Sequence, residues 1–545
     1  MAKMKRRDFL QRSSSTLAAL GIGDLALSPL VQRYQQALAD PTRRKLALLV
    51  GINQYRFAPL SGCLTDVDLQ RELLIHRFGF QPGDILTLTD QQATRAAIAT
   101  AFVEHLIEQA RSNDVIVFHF SGYGSQVALD TPLGSLQKSL VTVDDPIVEG
   151  SGAIADDLLI DTLLLLLRSL PTDRVTTVLD ASYTNADQPL QGNLRLRSRP
   201  TLAGARPSEV ELAFQEQLLS QASVDRARLA AQRRSGQLPG VVLAAAGTNQ
   251  VATEAKWAGF GAGLFTYALT QQLWQSTPAT ALRISLRRAS EQIEQLANQA
   301  QQPLLSGQRS QERPLTPYHV PPVPAWGADG VIVGLEDSGK VARLWLGGLS
   351  AALLEQYEPN SLLTLAGDAA IHLAPDRVPE LQIVSRDGLL AKAKLNPPLT
   401  ETEPATLVGQ FVRERLRVLP RNIGLTIALD RTLARIERVD AISAFSAVPR
   451  VTAAIAGEQQ ADYLFSKTSE VQPTQVATLP SAALPDILAV ANPVVAPSSY
   501  GLFSPGRSAI PSTTGEGGEA VKIAVRRLVP KLQTLLAAKL LNLTV

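Results

Sequence analysis

From Lys45 onward, unbroken apolar runs of strand length alternate with stretches whose apolar residues recur at helical spacing. Lys45 to Ile52 (KLALLVGI), closed by Asn53, reads as a parallel strand buried on both faces, since such a strand has no polar side to present to water. A helix follows through Val67, Leu69, Leu73, Leu74 and Ile75. Asp84 to Thr89 is a second strand, and Thr94 to Gln109 a helix with Thr94 placed to cap its first turn. Asp114 to Phe120 (DVIVFHF), Val175 to Leu179 and Gly240 to Gly247 (GVVLAAAG) supply three more strands, while Asp157 to Leu167 and Leu264 to Trp274 supply helices. This order predicts an α/β fold with a mainly parallel sheet covered by helices on both faces, running over residues 45–315.

The pattern changes within and after this part. Residues 206–239, rich in Glu, Gln, Ala and Arg and ending near Arg233-Arg234, read as an insert, either a helix pair or a loose loop. Beyond a Pro-rich passage at Pro314 to Pro324, short strand-like runs separated by turn residues predict a small β-rich domain over 326–420, with a barrel as one form of it. Residues 421–545 carry strand signals at Gly424 to Leu429 and Arg450 to Ile455, then a Pro/Ala/Ser-rich stretch around Gln472 to Thr514. A closing amphipathic pattern runs from Glu519 to Leu541, in which Pro530 should kink or interrupt the helix.

Residues 1–39 stand apart. The pair Arg6-Arg7 precedes Phe9-Leu10, a mildly apolar stretch runs from Ser13 to Leu30, and Ala37-Leu38-Ala39 closes the segment with small residues. That order resembles a twin-arginine export signal, and the expectation is export to the periplasm or an equivalent extracytoplasmic compartment. The alternative is a disordered basic tail. Asp24 and Pro29 interrupt the apolar stretch, and no later run approaches the ~18 apolar residues of a membrane span, so no transmembrane segment is expected after signal removal.

The full chain of 545 residues carries a formal charge of +2, yet its first 39 residues hold six Lys/Arg against two Asp, which leaves −2 on the rest. Without clustered Lys and Arg to meet phosphates, nucleic acid is not expected as the main partner. A single cysteine, Cys63, excludes a disulfide framework and any multi-thiolate zinc site. The length accommodates three or four domains.

In open α/β sheets, functional residues gather beyond the carboxyl ends of the strands. The third strand runs into Phe118-His119-Phe120-Ser121-Gly122-Tyr123-Gly124, and the fourth into Val178-Leu179-Asp180-Ala181-Ser182-Tyr183. Together with Val50-Gly51-Ile52-Asn53 and Gly62-Cys63-Leu64-Thr65-Asp66, these motifs resemble those of caspase-like peptidases, with bacterial metacaspase homologues (orthocaspases) as the nearest likeness. The resemblance extends over roughly residues 45–310, including a small-subunit-like part at Val241 to Leu273.

It breaks at the catalytic dyad. Where the family has the histidine base of Ser-Gly-His-Gly, this chain has Tyr123; where it has the cysteine nucleophile of Asp-x-Cys, this chain has Ser182. A thiol with a pKa near ~8.5 needs only a neighbouring imidazole to become a thiolate, whereas a serine hydroxyl needs a strong base. A tyrosine with a pKa near ~10 is protonated at neutral pH and accepts a proton poorly. Loss of nucleophile or base in comparable hydrolases costs on the order of a million-fold in turnover. His119, four strand residues before Tyr123, lies about 13 Å away at ~3.3 Å per residue and reads as a packed strand histidine. Cys63 reads as structural or as pocket wall.

The resemblance also implies an acidic pocket for Arg or Lys, lined by the aspartates that match Asp66 and Asp180, so that peptide binding would survive without cleavage. Each acid alone is equally an ordinary helix-start or loop aspartate. Asp156 and Asp157, with Asp144 and Asp145 nearby, resemble a calcium-binding aspartate pair of some metacaspases; compensation of a helix dipole is the simpler reading. No cofactor is required. The expected function is an exported pseudopeptidase that binds an Arg/Lys-containing peptide or protein partner; the alternatives are an active endopeptidase cleaving after Arg/Lys and a purely structural protein.

Overall fold

Continuous apolar runs need cover on both faces, and the computed structural model provides it. It describes residues 43–544 except 57, 129–135, 145–146, 150–151, 185–193, 200–204, 223, 235–236, 258, 298–299, 324–325, 367–378, 398–406, 456–460 and 469–498. The expected export segment, Asp145 and most of the Pro/Ala/Ser-rich stretch therefore lie outside the described residues.

Nine strands position the site: β1 (Lys45–Gly51), β2 (Ile85–Thr89), β3 (Val115–Ser121), β4 (Val175–Asp180), β5 (Arg195–Leu196), β6 (Val241–Ala244), β7 (Thr253–Trp257), β8 (Phe260–Gly263) and β9 (Leu304–Ser306). The central sheet has the order β9-β6-β4-β3-β1-β2, parallel except for β9. Strand order reverses at β1, so β1 and β3 open a crevice at their carboxyl ends, the place where α/β sheets put their sites. Gly51, Ser121 and Asp180 end β1, β3 and β4 in register, forming one row across that crevice. A small antiparallel sheet, β5-β7-β8, lies beside it.

The expected mainly parallel α/β architecture and the β-rich region behind it are both present. On one face, the helices Cys63–Phe78, Leu264–Trp274 and Leu282–Ala297 bury Leu73, Phe78, Phe265, Leu269 and Ile293. The same core continues into a closed barrel of six strands between Gly330 and Leu416. Trp274 meets Phe411 of the barrel edge-on at 6.2 Å, and the Tyr267 hydroxyl donates to the Leu349 carbonyl at 2.8 Å. The other face is covered by the helices Arg95–Ala101 and Ile160–Arg168 and by the insert, which forms the helices Glu209–Ala222 and Arg226–Arg234. A four-stranded sheet with the helices Arg435–Ser446 and Val521–Thr544 encloses a separate core built on Leu425, Ile427, Phe445, Phe465 and Leu528.

Three local expectations are corrected. Thr94 does cap its helix, its hydroxyl accepting from the Ala97 amide at 3.1 Å, but from Phe102 to Ile107 the turns widen to π type. The helix expected from Asp157 begins at Ile160, because Leu158 and Leu159 pair as a short strand with Leu140 and Ser139. Pro530 does not interrupt the last helix, which runs unbroken from Val521 to Thr544. Val521, Ala524 and Val525 before the proline and Leu532 after it all enter one core, and that shared burial keeps the helix continuous across the missing N–H.

Candidate functional site

The motif residues converge at the carboxyl ends of β1, β3 and β4. Asp66 projects from the first turn of the helix Cys63–Phe78, Ser121 ends β3 and Asp180 ends β4; all three are fully buried. The Ser121 hydroxyl donates to Asp66 Oδ2 at 2.5 Å. Asp66 Oδ1 accepts the Gly263 amide at 2.9 Å, and Asp180 Oδ2 accepts the amide and hydroxyl of Thr266 at 3.0 and 2.7 Å. Those amides open the helix Leu264–Trp274, so the positive end of a helix dipole faces both carboxylates.

The two aspartates do share a pocket, but the guanidinium in it is the chain's own. Arg197 Nη1 lies 2.7 Å from Asp66 Oδ2 and 3.3 Å from Asp180 Oδ1, and it donates to the Ser121 hydroxyl at 2.6 Å. Its Nη2 meets Glu254 Oε2 of β7 at 3.2 Å. Glu254 in turn accepts the amides of Ser61 and Gly62, at 2.9 and 3.1 Å, at the start of the helix Cys63–Phe78. Arg197 and all three acids are buried. Three carboxylates against one guanidinium leave an excess of negative charge, which two helix N-termini partly offset. Burial pushes the Asp66 carboxyl up from the ordinary range against the pull of Arg197, and the acids hold Arg197 firmly charged.

Gly263 makes room for this cluster. Its φ of −65° suits any residue, but a Cβ there would meet Asp180 Oδ2 and Arg197 Nη1. Gly263→Ala is expected to destabilise the fold by about 1–3 kcal/mol through overpacking, read as a lower urea midpoint. An unchanged midpoint would mean that the pocket is looser than described.

The dyad positions lie beside this pocket. Tyr123 stacks at a tilt against Tyr55, ring centroids 4.7 Å apart, and its hydroxyl donates to the Ala58 carbonyl at 2.9 Å. Burial raises its pKa to about 12, so it is a phenol and not a base at neutral pH. Ser182 is buried, and its Oγ has no hydrogen-bond partner among the described residues. His119 is enclosed in β3, and burial lowers its pKa to about 3; neither ring nitrogen has a partner among the described residues. Cys63 begins its helix with its amide on Asn53 Oδ1 at 2.8 Å, and burial pushes its thiol well above the usual range, away from the thiolate.

Asp156 and Asp157 face different arginines. Asp156 meets Arg95 Nε at 2.7 Å, and Asp157 meets Arg199 Nη2 at 2.7 Å while accepting the Ser139 hydroxyl. Asp144 accepts the Arg95 amide at 2.8 Å. Among the described residues, no group of three His, Cys, Asp or Glu side chains is arranged to hold a metal ion.

Sequence reasoning missed Arg197, Glu254 and Thr266. Arg197 lies in the alternation Arg195-Leu196-Arg197-Ser198-Arg199, which signals a strand but not which arginine is buried.

Residues 45–189 match the family described as the metacaspase, peptidase C14 domain. A metacaspase-1 of Yarrowia lipolytica is 33% identical over 163 residues, covering 28% of this chain and 34% of that protein. A metacaspase-1 of Scheffersomyces stipitis is 35% identical over 160 residues, covering 28% and 38%. The match thus spans about a third of the length of these curated relatives. The crystal structure of caspase-1 from Spodoptera frugiperda aligns at 11% identity with a TM-score of 0.30, over 49% of this chain and 86% of that one.

Proposed function

We propose that this chain, which carries a metacaspase-type peptidase C14 domain, is an exported pseudopeptidase: a caspase-like scaffold kept for engaging a peptide or protein partner rather than for cleavage. The observation that carries the reading is the state of the dyad. Ser182 Oγ has no base beside it among the described residues, and the Tyr123 hydroxyl is spent as a donor to Ala58. A serine without a proton acceptor attacks a carbonyl no faster than a buried alcohol does. His119 and Cys63 offer no substitute, one held neutral inside a strand and the other held as a thiol. Export is supported by the order of arginine pair, apolar stretch and small-residue site in residues 1–39. The reading needs no cofactor, and Arg95 and Arg199 already neutralise Asp156 and Asp157.

Purified protein is expected to release no fluorophore from Arg- or Lys-ended peptides above the rate of the Ser182→Ala variant. Turnover that Ser182→Ala abolishes would replace this reading with that of an active Arg/Lys endopeptidase.

A further inference from the structure

The acidic pocket is filled by an arginine whose backbone is also held in an unusual way. Segment 194–199 lies across the crevice as an added strand: Arg195 and Leu196 of β5 pair with Glu254 and Thr253 of β7, and the Arg197 amide donates to the Ala252 carbonyl at 2.8 Å. The Arg197 carbonyl oxygen then accepts two backbone amides at once, that of Ser182 at 3.0 Å and that of Gly124 at 3.1 Å. Beyond it, Ser198 bridges to Gly124 and the Arg199 amide donates to the Gly124 carbonyl at 2.8 Å.

Each element of this arrangement is one that recognises a peptide. Main-chain pairing to a sheet edge is how extended peptides are bound, with alternate side chains entering pockets. Two converging backbone N–H groups on one carbonyl oxygen form the donor pair that stabilises an oxyanion in acyl transfer. One of these donors belongs to Ser182, the position where the family resemblance puts the nucleophile, and the other to Gly124, next to Tyr123. A charged side chain meeting Asp66, Asp180, Glu254 and Ser121 completes the placement.

We infer that Arg197 is a built-in pseudosubstrate: the chain binds its own segment 195–199 in its peptidase-like crevice, with the Arg197–Ser198 bond where a scissile bond would lie. The inference rests on the pseudopeptidase reading, because an active dyad would cut this bond. It deepens that reading by naming the occupant. A partner peptide ending in Arg or Lys gains the pocket only by displacing Arg197, so partners that leave the crevice filled dock elsewhere on the chain.

Restoring the dyad tests this directly. In Tyr123→His/Ser182→Cys, the new thiol gives its proton to the new imidazole and its sulfur bonds to the Arg197 carbonyl carbon. The Arg197–Ser198 C–N bond then breaks, the imidazole returns the proton to the Ser198 nitrogen, and water hydrolyses the thioester. The expected result is full conversion to two fragments with a new N-terminus at Ser198, at a rate independent of protein concentration, while the wild-type chain stays intact. A folded double variant that stays uncut at Arg197 overturns the pseudosubstrate, whether or not it cleaves added Arg peptides; so does cleavage there whose rate rises with concentration. Wild-type turnover abolished by Ser182→Ala would instead overturn the pseudopeptidase reading. Hydrogen exchange on the wild-type chain needs no refolded variant: the Gly124 and Ser182 amides are expected to be protected at least 1,000-fold, in step with that of Arg197. Free exchange at these two amides rules out the held carbonyl.

Discussion

Arg197→Met is expected to destabilise the fold by on the order of 3–5 kcal/mol, the range for removing one partner of a buried ion cluster. Methionine fills much of the arginine stem's volume, so the loss reports charge rather than a cavity. Asp66, Asp180 and Glu254 would then face one another without the guanidinium that lies within 3.3 Å of each. Two helix N-termini cannot balance three such charges, and at least one acid must take up a proton on folding.

That uptake gives the loss a pH signature. An acid whose pKa is higher in the folded than in the unfolded chain costs nothing below its unfolded value, and the cost grows as pH rises toward the folded value. Burial already raises Asp66, and loss of Arg197 removes the largest force opposing that rise. The deficit of Arg197→Met relative to wild type should therefore be smaller at pH 5 than at pH 8 in urea unfolding. An equal deficit at both pH values would mean that Arg197 contributes packing and not charge.

The same cluster marks how far the chain could be read without its structure. The central strands were legible because a parallel strand covered on both faces must be apolar throughout, and Lys45 to Ile52 and Asp114 to Phe120 can be little else. The dyad positions were legible because Tyr123 and Ser182 sit inside short motifs at strand ends, where a substitution stands out. Arg197 was hidden, because its burial depends on β5 pairing with β7, nearly sixty residues away, and nothing local separates it from Arg195 or Arg199. The helix start near Asp157 failed for a related reason. Two adjacent aspartates before a leucine run suit a helix N-terminus, but Asp157 is claimed by Arg199 and Ser139 and the two leucines by strand pairing. Local propensity lost to partners that only the fold supplies.

A second buried acid, in the insert, should add its own pH response to the stability of the wild-type chain. Glu211 of the helix Glu209–Ala222 accepts the Leu159 amide at 3.1 Å and the Thr162 hydroxyl at 2.6 Å, with Arg95 Nη1 at 3.4 Å. Burial outweighs these partners and raises its pKa from 4.5 to about 7. That displacement corresponds to about 3 kcal/mol. Because the folded value is the higher one, the stability associated with protonated Glu211 is fully present below pH ~4.5 and is lost as pH rises toward 7. Glu211→Gln keeps an acceptor for Leu159 and Thr162 but removes the titration. Relative to wild type, the variant should gain up to about 3 kcal/mol between pH 4.5 and pH 8, measured as the difference between two urea titrations. Parallel pH profiles for the two proteins would show that Glu211 stays ionised, held by Arg95 more firmly than burial opposes it. The gain, if observed, shows that ionising Glu211 weakens its seat against Leu159 and Thr162 as pH rises through the folded value.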